Sequence, residues 1–363
     1  MAKARLMSRP EDFKKLGIRP DKVEMWEDGL RDTCAPKHNE VWYFDANFED
    51  GSKFIIGFRP KAPKDQARNV FSPNVNIMIT TPEGETRSDF LYYKAHEGSI
   101  AKERCEVKMG PHSAIGDLKD YDVHFEPVNG VGADLHYHFL VEPFRPGGTA
   151  YAALGDNDEF YYTDMSIPKA EVTGTLTYDG KTVTVKGQGY HDHQWMNLSP
   201  FQAWHHWLWG RLYAGEYTIV IYDFVASKRF GFERIPILGI LDGRGKVIFD
   251  NTQPVECKMT TYVQPELQRA FPKRSQYVFK DCGKEVRLDI EWLQEIEVRR
   301  SAKLLPWYGR MAMKLLGVDP FYMRYFAKAD LTIIGEDKTV HESGNMIYEF
   351  NYMGKSDPRA HLK

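Results

Sequence analysis

Apolar and polar residues alternate with a period of two along most of this chain, and that pattern predicts strands. Segments 41–48 (VWYFDANF) and 54–58 (FIIGF) flank Asp50-Gly51, a two-residue hairpin signal. A strand at 75–79 is followed by Glu83-Gly84 as a turn. Strands at 135–141, 170–178 and 182–186 come next, the last two joined by Asp179-Gly180. The pattern continues at 217–224, 235–241, 246–249 and 286–292, with Gly243-Arg-Gly245 as a further turn. Many short strands with frequent turns predict a mainly β protein built of sandwiches or barrels.

One region departs from the period of two. Apolar residues in 301–317 recur at helical spacing, with Gly317 as a C-cap and Pro320 as a stop, and 321–326 predicts a second short helix. The resulting helical insertion, near 299–328, is basic through Arg299, Arg300, Lys303, Arg310, Lys314, Arg324 and Lys328. It reads as a helix packed on the barrel, or as a lid in peripheral contact with a membrane that admits lipophilic substrate. A weak duplication is also visible. Trp42-Tyr-Phe, Gly51 and the strand at 54–58 resemble Trp207-Leu-Trp, Gly215 and the strand that starts at Tyr217.

Composition narrows the class. The 363 residues are 42% hydrophobic and 13% aromatic, enough for a large core. A net charge of -3 gives no electrostatic case for nucleic acid. No stretch reaches the roughly 18 apolar residues of a membrane-spanning helix. The N-terminus carries basic residues without an apolar run behind them, so no secretory signal is expected. Cys34, Cys105, Cys257 and Cys282 show no CxxC spacing and are expected as reduced thiols of a cytoplasmic protein.

Candidate chemistry concentrates in 190–209, which holds four of the twelve histidines and four of the eight tryptophans. On a strand, His191, His193 and Trp195 share one face and Asp192 takes the other. Taken singly, such residues tie down a loop or fill a core; their density together points to a site. Asp223 ends the apolar run 217–222, where a carboxyl must find partners or keep its proton. Its neighbour Tyr222 takes the opposite strand face and is a second candidate. His136-Tyr-His138 and His191-Asp-His193 form two HxH pairs, too weak a pattern to assign a metal. There is no GxGxxG after a strand, no phosphate-binding loop and no GxSxG elbow. No cofactor is expected.

These motifs carry a family resemblance. Glu40-Val-Trp-Tyr-Phe-Asp-Ala with Asp50-Gly51 resembles the opening motif of the carotenoid 1,2-hydratase-like proteins, and Gly187-Gln-Gly-Tyr-His-Asp-His-Gln-Trp resembles their central signature. That family includes bacterial carotenoid hydratases, fungal kievitone hydratase, AttH-like proteins and, more distantly, fungal decalin-forming Diels–Alderases. The resemblance covers roughly 38–354. It implies two consecutive lipocalin-like β-barrel domains, at 38–188 and 189–363, after an extension at 1–37. A His-x-Trp pair and a downstream Tyr/Asp pair are proposed active-site groups in that family. His193 and Trp195 match the first. Tyr222 and Asp223 are the nearest match to the second, although adjacent here rather than separated by one residue.

The leading expectation is cofactor-free hydration, or the reverse, of an alkene in a hydrophobic terpenoid-like molecule. Asp223 would give the proton, and His193, with His191 beside it, would handle water. Trp195, Trp207, Trp209, Trp42 and Tyr190 would line the substrate pocket. This scheme requires His193 and Asp223 to share one void. The alternatives are a pericyclase or isomerase that folds a polyene, and a non-catalytic carrier of hydrophobic ligands.

Overall fold

The computed structural model describes residues 3–265, 269–281, 283–300, 302, 307–316 and 318–353. The first sheet contains β1 (Ala4–Leu6), β2 (Asn39–Phe48), β3 (Lys53–Arg59), β4 (Asn74–Thr80), β5 (Thr86–Tyr92), β6 (Gly98–Ile100) and β7 (Glu106–Met109). It continues with β8 (His112–Gly116), β9 (Asp120–Val128), β10 (Val131–Phe139), β11 (Tyr151–Leu154), β12 (Phe160–Tyr178) and β13 (Lys181–Met196). The second sheet contains β14 (Trp204–Ala214), β15 (Tyr217–Ala226), β16 (Arg234–Leu241), β17 (Val247–Asn251) and β18 (Pro254–Gln264). It closes with β19 (Arg269–Asp281), β20 (Lys284–Arg300), β21 (Phe321–Ile334) and β22 (Thr339–Tyr352). Helices α1 (Pro10–Leu16), α2 (Pro200–Ala203) and α3 (Trp307–Leu316) are minor additions.

The sheets share one winding. The first runs β5-β4-β3-β2-β13-β12-β10-β9-β8-β7-β6, and the second β17-β16-β15-β14-β22-β21-β20-β19-β18. In each, a four-strand meander opens the winding and the last strand pairs with the first strand of that meander, β13 with β2 and β22 with β14. The chain therefore folds as two consecutive lipocalin-like barrels, each curled round its own core. One predicted Asp-Gly turn forms as a two-residue type I′ hairpin, with Asp179 (φ 52°) and Gly180 (φ 73°) both left-handed; at Asp50-Gly51 only Gly51 (φ 90°) is left-handed, and a three-residue loop, 49–51, joins the strands.

Alternation sorts each strand's side chains. Trp42, Phe44, Ile56 and Tyr137 fill the first barrel, and Leu212, Ile219, Ile221 and Phe350 fill the second. A third cluster, with Tyr190, Trp204, Trp209, Tyr222 and Phe224, lies between the barrels. β15 is buried along its whole length because one face serves its own barrel and the other meets the first barrel. The interface is also clamped by charge: Arg211 of β14 donates to Asp45 of β2 at 2.9 Å, and Tyr213 Oη donates to the Pro168 carbonyl at 2.8 Å.

Three expectations need correction. The change of sheet comes between Met196 and Trp204, so the break expected at 188/189 falls inside β13. The extension is woven into the first barrel, since β1 pairs with β11 through Ala4 and Leu154. Residues 321–326 are strand, not helix: Phe321, Met323 and Tyr325 pack into the second barrel while Tyr322 and Arg324 face the other way. A strand that buries both faces is apolar nearly throughout and imitates a helical pattern. The helix of the insertion does form as α3, with Trp307, Tyr308, Met311 and Leu315 exposed. Gly317, its expected cap, lies outside the described residues. Among the described residues, no helix is long and apolar enough to cross a membrane. Cys34, Cys105 and Cys257 are free thiols; Cys282 lies outside the described residues.

Candidate active site

The two histidines of the central motif point into the first barrel. His191 stacks on Phe44 at 4.1 Å and His193 on Trp42 at 4.4 Å, because β13 and β2 pair these residues directly. His191 Nε2 is 3.2 Å from Asp28, whose carboxylate also accepts from Tyr121 Oη at 2.6 Å. His193 Nε2 meets Glu40 at 2.8 Å, and Glu40 accepts the backbone N–H groups of Arg31 and Asp32. Trp42 Nε1 donates to the Asp28 carbonyl at 2.9 Å. These residues pin the segment around Trp26 to Asp32 across the end of the barrel. His193 touches only a void of about 20 Å³, and Trp195 packs beside His38 and Tyr151.

Asp223 lies elsewhere. It shares the face of Ile219 and Ile221, inside the second barrel. Tyr277 Oη donates to it at 2.8 Å, and Arg234 donates through Nε at 2.7 Å and also through Nη2. Both oxygens accept from strong donors, so this carboxyl is tied to Arg234 and Tyr277 inside the second barrel. Among the described residues His193 and Asp223 share none of the four main cavities, which goes against the expectation of a shared void. The reason is parity: each residue sits on the inward face of its own barrel. The two HxH pairs do not converge either, for His136 and His138 lie on the outer face of β10 beside Asp122 and Asp120.

The opposite faces of these same strands build the main cavity. It occupies about 410 Å³ between the barrels and adjoins a second space of about 290 Å³ that shares Trp209, Arg324 and Met78 with it. Trp204, Trp207, Trp209, Tyr222 and Phe224 form one wall. A β-bulge between Trp204 and His206 lets Trp204 join the face of Trp207 and Trp209 despite the odd spacing. Of the expected substrate-binding residues, Trp207 and Trp209 line the cavity. Tyr190 is buried behind it, 5.3 Å from the Trp209 ring, whereas Trp42 lies inside the first barrel.

Asp164 of β12 and Asp192 of β13 complete the cavity opposite the indoles. Tyr162 Oη donates to Asp164 at 3.2 Å, and Gln194 Nε2 donates to Asp192 at 3.1 Å. Asp164 Oδ1 is buried without a partner. Burial, reinforced by the charge of Asp192, pushes the Asp164 carboxyl well above the usual carboxylate range. Burial also raises Asp192 to about 7, against opposing effects of His191 and of hydrogen bonds. The Tyr190 and Tyr222 hydroxyls, nearby, are pushed up chiefly by burial and then by these carboxyls, so they stay neutral. The cavity thus holds two neighbouring carboxyls whose proton affinity burial raises, an arrangement chemically able to give and take a proton. Asp192 was visible in the sequence only as the residue opposite the histidines. Asp164 was missed, although it sits within the apolar run Phe160-Tyr-Tyr-Thr-Asp-Met-Ser-Ile, the same signal that drew attention to Asp223.

Comparison with known proteins agrees with this architecture. The ceramide-binding protein svf1 of Schizosaccharomyces pombe is 21% identical over 281 residues, 74% of this chain and 72% of that protein. The solved structure of an AttH-like protein from Nitrosomonas europaea superposes with a TM-score of 0.61 at 13% identity, covering 92% of this chain and 98% of the other. Kievitone hydratase from Nectria haematococca gives a TM-score of 0.56 at 13% identity, covering 92% and 94%. At such identities the structures share the fold alone. The model of the Diels-Alderase-like family matches residues 26–286, a span that takes in the whole interbarrel carboxyl pair, and the chain belongs to that family.

Proposed function

We propose that this protein is a cofactor-independent hydratase or dehydratase of an alkene in a hydrophobic, terpenoid-like molecule held between the barrels. One observation carries the reading: the Asp164 carboxyl, with Oδ1 buried and unpartnered, faces an indole-lined cavity beside a second carboxyl, Asp192, and burial favours the proton-holding form of both. In the hydration direction the Asp164 proton goes to the less substituted alkene carbon, and the π electrons form the new C–H bond. The tertiary cation that results lies against Trp207 and Trp209, at roughly 0.5–2 kcal/mol per ring. Water adds to the cation, and its proton passes to Asp192. The rings alone cannot supply the 8 kcal/mol or more of a typical enzymatic acceleration, so positioned proton delivery carries most of it.

Two other readings have specific support. The family description and the aromatic cavity favour a cyclase that folds a polyene without proton exchange. The ceramide-binding relative favours a carrier. Turnover of prenylated and polyene substrates in deuterated water separates the three. The hydratase reading expects carbon-bound deuterium in the product and loss of turnover in Asp164→Asn with the fold retained. Product without deuterium, formed undiminished by Asp164→Asn, assigns the cyclase. Ligand bound and recovered unchanged throughout assigns the carrier.

A further inference from the structure

Three guanidinium groups line the same cavity, and two are neutralised locally. Arg299 lies 3.1 Å from Glu297 and Arg324 lies 3.4 Å from Glu349. Arg59 differs: among the described residues it pairs with no carboxylate. Its Nη1 donates to the Asn76 side chain and, at 3.4 Å, to the Gly57 carbonyl. Burial pulls its pKa down to about 10, which still leaves it charged at neutral pH. The guanidinium is given room by Gly57, where a Cβ would come within 2.9 Å of Arg59 Nη1 and of Asn76 Oδ1. This half-buried cation feels Asp192 only at a distance and has no carboxylate in direct contact, so its fork is left free to take an anion that enters the cavity.

The sheet register sets its distance from the acid. Asp164 pairs with Gln194, and Gln194 with Val41. Continuing the Trp42–Phe58 pairing by one residue brings Val41 level with Arg59. Asp164 and Arg59 therefore lie in one row, three strand spacings or ~14 Å apart along the sheet. We propose that Arg59 binds the anionic head of the substrate, a carboxylate, and so places a hydrophobic chain with its reacting carbon at Asp164. A guanidinium fork matches two coplanar oxygens, and Asn76 holds it in orientation. This deepens the reading above and rests on it only for the choice of site.

Equilibrium binding of parinaric acid, a fluorescent conjugated tetraene carboxylate, and of its methyl ester tests the assignment without requiring turnover. The wild-type protein is expected to bind the acid at least tenfold more tightly than the ester at pH 8. Arg59→Gln is expected to remove that preference and leave ester affinity unchanged, while Arg59→Lys keeps part of it. Asp164→Asn is expected to retain the preference, so failure of head-group recognition is read separately from failure of proton transfer. A wild-type protein without preference for the acid, or a preference that survives in Arg59→Gln, overturns the proposal. The wild-type comparison stands even if the glutamine variant does not fold.

Discussion

Asp192→Asn makes the most discriminating test of the cavity's electrostatics, because stability and activity are expected to move in opposite directions. The Asp192 carboxyl is held at about 7 in the folded protein against an ordinary value of 3.8. Between those values the folded protein binds a proton that the unfolded chain has released. Stability is therefore lost as pH rises from about 4 to about 7, and levels off above. Three pH units at about 1.4 kcal/mol each give a cost of about 4 kcal/mol at pH 8, an upper bound because Asp164 shares the titration. Asparagine is nearly isosteric and still offers an oxygen to Gln194 Nε2, so it removes the cost with little repacking. The assay is urea denaturation from pH 5 to 8, followed by tryptophan fluorescence. The variant is expected to gain on the wild type by about 1.4 kcal/mol per pH unit up to neutrality, while losing turnover. A gain independent of pH, or a variant less stable than wild type at pH 8, would refute the claim that burial of this carboxyl sets its proton affinity.

The histidines give a contrasting expectation. His193→Ala removes one hydrogen-bond partner from the buried Glu40, which keeps only the Arg31 and Asp32 backbone N–H groups, and should cost about 1.5–3 kcal/mol in a urea titration; a variant as stable as its parent yet inactive would return His193 to a catalytic role. Asp223→Asn, which the sequence alone would make lethal to turnover, should keep activity and lose about 1.5–3 kcal/mol, the worth of a charged hydrogen bond to Arg234. Steady-state rates compared with denaturation midpoints decide that case, and an abolished rate with unchanged stability would contradict it.

How far the site was legible depends on parity. The stretch 190–209 does reach the cavity: β13 and β14 both border it, and Trp207 and Trp209 line it. The choice of face was wrong. Alternation predicts that His191 and His193 oppose Asp192, but it does not say which face meets a barrel core and which meets the neighbouring barrel. The same holds for Tyr222 and Asp223, where the aromatic residue, not the acid, lines the cavity. Asp164 carried the same buried-carboxyl signal as Asp223. The difference between them is Arg234, eleven residues along the chain from Asp223 and beside it only because β15 and β16 pair.

The sequence by itself determined the β class, about half of the strands, the Asp179-Gly180 turn and, through its motifs, the pair of barrels. Those features follow from local rules: side chains alternate along a strand, and Asp-Gly accepts left-handed backbone. Only the tertiary structure decided the function of each face. Burial on both sides erases the polar alternation that would mark an outside. Whether a carboxyl deep in the protein is neutralised by a guanidinium or left to hold its proton depends on neighbours brought in from distant strands.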